Sequence, residues 1–260
     1  NFKFNKVGHS GTLDPNANGL MLLATDSYTK LFDYIEKTDK TYKATAILGY
    51  SSPTLDIDSE LTFHENIDAE NYSEDILNFL SNLIGESTQT PPIYSAIKVK
   101  GKRLYKYARQ EQEVDIPTRT IKVDNTELIS VEGNKVTFEI TVSKGTYIRS
   151  IVEDLGESLN TKAIVESLTR TAIGNINTNH KNLNKNIEDM DYKSNLHSID
   201  WKEVIDLPVI ELEQDMLKII KNGQLLSNDI FSKKEKYVIS INNHIVSVYE
   251  PFNEKYFKPD

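Results

Sequence analysis

Apolar and polar positions alternate from Thr41 to Leu48, with Tyr42, Ala44, Ala46 and Leu48 on one side, Lys43, Thr45 and Ile47 on the other, and a stop at Gly49. A period of two puts successive side chains on opposite faces of a sheet, so the segment predicts a strand. Two more strands are predicted over 121–131 and 135–143, joined as a hairpin at Gly133-Asn134. The period changes to 3.6 where Ile148, Ile151, Val152, Leu155 and Leu159 form one apolar stripe. Thr146 is placed to cap the helix this predicts, and Arg149 lies off the stripe in its first turn. Ile76, Leu77, Leu80 and Leu83 predict another helix, and 161–168 a further one, followed by a strand over 169–176. Leu20 to Leu23 reads as a short strand or turn that leads into a helix ending near Ile35.

From Asn177 to Met190 the chain turns to Asn and Lys with few apolar residues, which reads as a linker. Pattern returns at Leu207-Pro208-Val209: a short helix over 214–221 stops at Asn222-Gly223, and strands over 236–241 and 245–249 turn at Asn242-Asn243. The expected organisation is an α+β protein with a main domain over 1–178, a linker over 179–206 and a small tail domain over 207–260, whose thin core needs support. No internal repeats occur.

An apolar share of 38% with 27% charged residues fits a soluble globular protein, and no apolar run reaches membrane-spanning length, so no membrane role is expected. There is no cysteine, which removes disulfides, thiolate catalysis and cysteine-ligated metals and fits a reducing, cytoplasmic location. His9, His64, His180, His197 and His244 lack metal-ligand spacing, and no metal is expected. A net charge of −9 counts against a nucleic-acid partner, but distribution matters more than the sum. Glu60 to Leu77 holds six acids and no Lys or Arg. Ala96 to Gln110 reverses the balance, with Lys98, Lys100, Lys102, Arg103, Lys106 and Arg109 interleaved with Tyr105 and Tyr107. That mixture suits phosphate contact and stacking, and equally a solvated helix face.

The stretch Gly8-His9-Ser10-Gly11-Thr12-Leu13-Asp14-Pro15-Asn16-Ala17-Asn18-Gly19 is too rich in glycine and small polar residues for a helix or strand. Pro15 disfavours the α region at Asp14 and so fixes the direction of its carboxylate. Composition alone makes this a turn in which the side chain bonds its own backbone.

The string Gly-His-x-Gly-Thr-Leu-Asp-Pro-x-Ala-x-Gly nevertheless resembles the signature loop of the bacterial tRNA pseudouridine-55 synthases, in which the Asp is the nucleophile. Further segments match the same family in order: Lys40-Thr41-Tyr42, Thr54-Leu55-Asp56, Gln89 to Lys98 with Gly101, Leu104-Tyr105 and Ala108-Arg109, Lys144 to Arg149 with Asp154-Leu155-Gly156, and Leu168-Thr169-Arg170. The resemblance runs from about Lys6 to Asn175 and, more weakly, through Leu207 to Tyr249. Ser59, Tyr28 and Ser143 stand where the family usually has glycine, alanine and cysteine. The family's opening strand has no counterpart before Asn1, so a missing N-terminal piece is expected.

The resemblance implies a pseudouridine-synthase fold: a mixed, mainly antiparallel central sheet flanked by helices and loops, an RNA-gripping insertion near 89–118 and a PUA-like β-rich tail. It implies isomerisation of a uridine in the T-loop of tRNA, by a cytoplasmic monomer without cofactor or protein partner. Asp14 would attack C6 of the uracil or C1′ of the ribose, and Arg149 would keep it ionised and oriented. Tyr42 would stack on the flipped base and relay the C5 proton. Tyr147 and Leu168 would line the pocket, His9 would contact RNA, and Asp56 would support a hydrogen-bond network near Tyr42. Lys98, Lys100, Arg103 and Arg109 would grip the T-arm. Two rivals stand beside this: a catalytically silent tRNA-binding protein of the same fold, and a glycosidic hydrolase using Asp14 and Asp56 as opposed carboxyls.

Overall fold

A computed structural model describes residues 5–35, 38–181, 183 and 198–260. They fall into two compact units, Asn1–Ile199 and Asp200–Asp260. The stretch expected to be a linker lies largely outside the described residues, and its last part already carries the helix Trp201–Val204 of the second unit.

In chain order the first unit contains β1 (Val7–His9), β2 (Ala17–Gly19), β3 (Leu23–Thr25), α1 (Phe32–Ile35), β4 (Lys40–Leu48), β5 (Tyr50–Ser51), β6 (Thr62–Phe63) and α2 (Ser73–Asn82). It continues with β7 (Gly85–Gln89), β8 (Lys98–Val99), β9 (Lys102–Arg103), α3 (Leu104–Ala108), β10 (Arg119–Glu132), β11 (Lys135–Val142), α4 (Ile148–Ser158), β12 (Ala163–Ile173) and β13 (Ile176–Asn177). Its main sheet runs β13-β12-β4-β11-β10-β7, with β2 added beside β12. Every pairing along that path is antiparallel, whereas β2 lies parallel to β12, so the sheet is mixed and the architecture α+β.

One face of this sheet is the core. Ala44, Ala46 and Leu48 of β4 and Val136, Phe138, Ile140 and Val142 of β11 are almost fully buried. They share one cluster with Ile76 and Leu80 of α2 and Ile151, Val152 and Leu155 of α4. The alternation that predicts β4 is the cause, because residues two apart point to the same side. The other face carries cross-strand threonine pairs, Thr41 with Thr141 at 3.0 Å and Thr45 with Thr137 at 3.1 Å between hydroxyls.

Two expectations fail here. Residues 161–168 are not a helix: from Ala163 the chain is already in β12, paired with β4 from Ala163 opposite Leu48 onward. Ala163, Ile164 and Val165 are all buried, so the run lacks the alternation that marks a half-exposed strand. Thr146 does not cap α4 either, since its hydroxyl donates to Ser143 O at 3.0 Å and the cap position falls on Tyr147.

The second unit opens with α5 (Trp201–Val204), β14 (Val209–Glu211), α6 (Leu217–Lys221) and β15 (Leu226–Ser227). The strands β16 (Tyr237–Ile241), β17 (His244–Pro251) and β18 (Tyr256–Pro259) complete a sheet in the order β14-β16-β17-β18-β15. Its core gathers Ile220, Leu226, Tyr237, Ile239, Tyr249 and Phe257, with Phe231 stacked on Phe257 at 3.8 Å between centroids.

Candidate active site

The Gly-rich stretch is a loop over 10–16 between the end of β1 and β2; its last three residues, Ala17–Gly19, form a short strand, contrary to the expectation from composition, because they pair with β12. Ser10, buried, exchanges two bonds with Leu22: Ser10 N–H donates to Leu22 O at 3.0 Å, and Leu22 N–H donates to the Ser10 hydroxyl at 3.1 Å. Asp14 to Ala17 make a tight turn closed by Ala17 N–H donating to Asp14 O at 2.9 Å, with Pro15 where its fixed φ favours the turn. The turn predicted from composition is therefore present. The Asp14 side chain is used elsewhere: its Oδ2 lies 2.9 Å from Arg149 Nε. That N–H is not aimed along the line to the oxygen, so the contact is an ion pair held by proximity more than a directed hydrogen bond. The carboxylate is 41% exposed and the guanidinium 6%, so the acid reaches solvent while its counterion is buried.

Arg149 thus sits inside, not off the packed side of α4 in solvent. Its burial is possible because Nη1 donates to Thr54 O at 2.8 Å and Nη2 to Tyr94 O at 3.2 Å. A guanidinium taken from water needs such acceptors. Thr54 is offered by a loop in which Asp56, 6% exposed, accepts from Thr54 Oγ1 at 2.6 Å and from Asp58 N–H at 3.0 Å. Leu55 in this loop has φ +61°, a strained backbone for a branched side chain. The bonds of Asp56 therefore go to its own loop and, through it, to Arg149; they do not form a network with Tyr42.

Tyr42 is half-buried on β4, packed against the main core and opposite Arg170 of β12. Leu168, 9% exposed, is paired in register with Ala17 of the loop strand β2. Tyr147, directly before α4, is fixed by Gln89: its N–H donates to Gln89 Oε1 at 2.8 Å and its carbonyl accepts from Gln89 Nε2 at 3.0 Å. The guanidinium of Arg119 lies 5.6 Å from the Tyr147 ring centroid. His9 is exposed at the end of β1, and its Nδ1 accepts from Gly11 N–H at 3.2 Å.

Lys98, Lys100, Arg103 and Arg109 are exposed around the small β8–β9 hairpin and α3, away from the Asp14–Arg149 contact in sequence. Arg103 and Arg109 flank the Tyr105 ring at 6.0 and 5.6 Å, and Lys102 lies 4.2 Å from that of Tyr107. Cations and aromatic faces thus already meet in this segment. On α4, burial first, then the charges of Glu157 and Asp154, push the half-buried Glu153 carboxyl above its ordinary range. Among the described residues no group of His, Asp and Glu could hold a metal ion, and no helix is long and apolar enough to cross a membrane.

Three residues absent from the sequence-derived set belong to this frame: Gln89, Arg119 and Arg170. Arg170 Nε donates to Leu20 O at 2.7 Å and Nη2 to Gly11 O at 3.1 Å, and its own carbonyl accepts from Leu20 N–H at 2.8 Å. An Arg next to a Thr in a strand, with Glu166 four residues before it, gives no sign that it folds inward; only its place in the Leu168-Thr169-Arg170 segment that matches the family set it apart.

Residues 1–148 match the description "TruB family pseudouridylate synthase (N terminal domain)". The chain is 35% identical over 243 residues to "tRNA pseudouridine synthase B" of Mycoplasmopsis pulmonis, an alignment that covers 94% of this chain and 80% of that one. It is 39% identical over 232 residues to the protein of that name from Mycoplasma mobile (87% and 76% covered), and 33% identical over 266 residues to that of Ligilactobacillus salivarius (98% and 88%). The fold is similar to that in "Crystal Structure of a Cbf5-Nop10-Gar1 Complex", with a TM-score of 0.70 at 22% identity, covering 99% of this chain and 75% of that one. With the fold and the family match in agreement from the signature loop to α4, this chain belongs to the TruB family of pseudouridylate synthases.

Proposed function

We propose that the chain converts a uridine of tRNA, position 55 of the T-loop, to pseudouridine, with Asp14 as the nucleophile. The observation that carries this reading is the Asp14–Arg149 pair at 2.9 Å, an exposed carboxylate set over a buried cation. The target base leaves its stack and comes to lie beside Asp14. Asp14 attacks C6 of the uracil or C1′ of the ribose, the N1–C1′ bond breaks, the uracil turns and C5–C1′ forms. The C5 proton then leaves, N1 ends protonated, and the adduct with Asp14 is released. Atoms and electrons balance without an oxidant or cofactor.

Arg149 pairs with the Asp14 carboxylate and fixes its direction. Tyr42 stacks on the base and relays the C5 proton, Tyr147 and Leu168 wall the pocket, and His9 contacts the RNA and helps displace the base. Lys98, Lys100, Arg103 and Arg109 hold phosphates of the T-arm. The second unit, from about residue 200, serves as the PUA-like RNA-binding tail of a cytoplasmic, monomeric enzyme.

The hydrolase reading loses support from Asp56, which is buried and committed to its loop, whereas hydrolysis needs a second carboxyl open to the scissile bond. The test is release of tritium from C5-labelled uridine in a tRNA transcript. Release at one T-loop uridine, lost in Asp14→Asn with tRNA binding retained, is expected. Free uracil or an abasic site as product, or turnover by Asp14→Asn, overturns the proposal, and a folded parent that binds tRNA without releasing tritium makes the chain the silent binder.

A further inference from the structure

We infer that Arg170 is a positioning residue for Asp14: its guanidinium fixes the loop that presents the carboxylate, as Arg149 fixes the carboxylate itself. This rests on the reading of Asp14 as nucleophile.

Arg170 is 1% exposed and is among the largest fully buried side chains of the described residues. Among the described residues it has no carboxylate partner; its bonds go to two carbonyls, Leu20 O at 2.7 Å and Gly11 O at 3.1 Å. Burying a cation without an anion is costly, and an apolar side chain of similar volume would fill the space at less cost. What the apolar side chain lacks is a planar fork of donors that spans two acceptors at once. Those acceptors lie three residues before Asp14 and six after it. One guanidinium therefore ties the loop together across the acid.

The backbone of Arg170 repeats the arrangement. Its carbonyl accepts from Leu20 N–H at 2.8 Å, and a Cβ on Gly19 would lie 2.4 Å from that same carbonyl oxygen. Gly19 also has φ +104°, so the close approach of the loop to β12 requires glycine on both counts. Arg149 holds Asp14 from α4 and Arg170 holds its loop from β12. With both in place the carboxylate keeps one position relative to the base.

Arg170→Met, Arg170→Lys and Gly19→Ala test this. For each, the single-turnover rate of tritium release from pre-bound tRNA, the tRNA dissociation constant and the melting temperature are measured beside the parent and Asp14→Asn. A displacement of about 1 Å costs roughly 100-fold in rate. Arg170→Met and Gly19→Ala are therefore expected to lose about 100-fold in the single-turnover rate with the dissociation constant within about threefold. Arg170→Lys falls between, because one ammonium cannot reach both carbonyls. Should Arg170→Met fail to fold, the other two decide. A folded Arg170→Lys or Gly19→Ala that reacts at the parental rate, or a loss confined to tRNA binding, overturns the role given to Arg170. Activity that survives in Asp14→Asn instead overturns the reading beneath it.

Discussion

Gln89 is the most exacting test of how the frame is held. It is 4% exposed, at the end of β7, and both ends of its amide are used on the backbone of Tyr147, 58 residues away. Gln89→Leu keeps nearly the same volume and removes both bonds. Two hydrogen bonds at about 1 kcal/mol net each give about 2 kcal/mol. Leaving the Tyr147 N–H without its partner adds to this, though the Tyr147 carbonyl keeps the Ile151 N–H at 3.3 Å and the residue is only half-buried, so the sum is about 2–3 kcal/mol. At roughly 2–4 °C per kcal/mol for a unit of this size, the main transition should fall by about 4–12 °C. Gln89→Glu keeps the acceptor for the Tyr147 N–H but turns the donor into a second oxygen facing a carbonyl, and should melt no higher than Gln89→Leu. Differential scanning calorimetry of the whole chain measures both. If Gln89→Leu melts within 1 °C of the parent, the clamp contributes nothing and the argument that Tyr147 is positioned by it is wrong.

Glu153→Gln should stabilise the chain at pH 7 by a few tenths of a kcal/mol after discounting for its exposure. The folded carboxyl titrates above its unfolded value, so the folded state holds the proton longer and the penalty of the charge grows as pH rises through that window. The gain should therefore vanish near pH 4, and equal gains at both values in thermal melts would refute the assignment. Phe257→Ala removes a ring that is 1% exposed and stacked on Phe231, a loss of about 3–5 kcal/mol in a unit of that small size. Limited proteolysis should then cut within 200–260 while the first unit persists, and an uncut tail would refute it.

The strand β4 and the helix α4 were legible because each buries one face, which leaves a period in the sequence. The loop around Asp14 was legible from glycine and proline, whose backbone limits are local. Residues 161–168 were misread because β12 lies within the sheet and Ala163, Ile164 and Val165 are all buried, so an apolar run carries no period to separate strand from helix. Arg149 was placed off the apolar stripe of α4 since a charged side chain there normally meets water; what buries it are Thr54 O and Tyr94 O, supplied from 95 and 55 residues away. Gln89 and Arg170 fall in segments that resemble the family, but their roles were hidden for the same reason: their partners are backbone groups, which every residue has, so no local pattern says what they hold. The Asp14–Arg149 pairing came from family resemblance, and no local pattern would have supplied it.

The parallel register of β2 with β12 sets a condition on when the protein can work. Asn18 meets Thr169 across 151 positions, and the loop between Ser10 and Leu20 has no seat until that far strand lies alongside it. A chain still emerging from the ribosome therefore carries Asp14 long before it carries the strand that seats its loop, and that loop takes its final place only once the segment through Ile173 is free to dock.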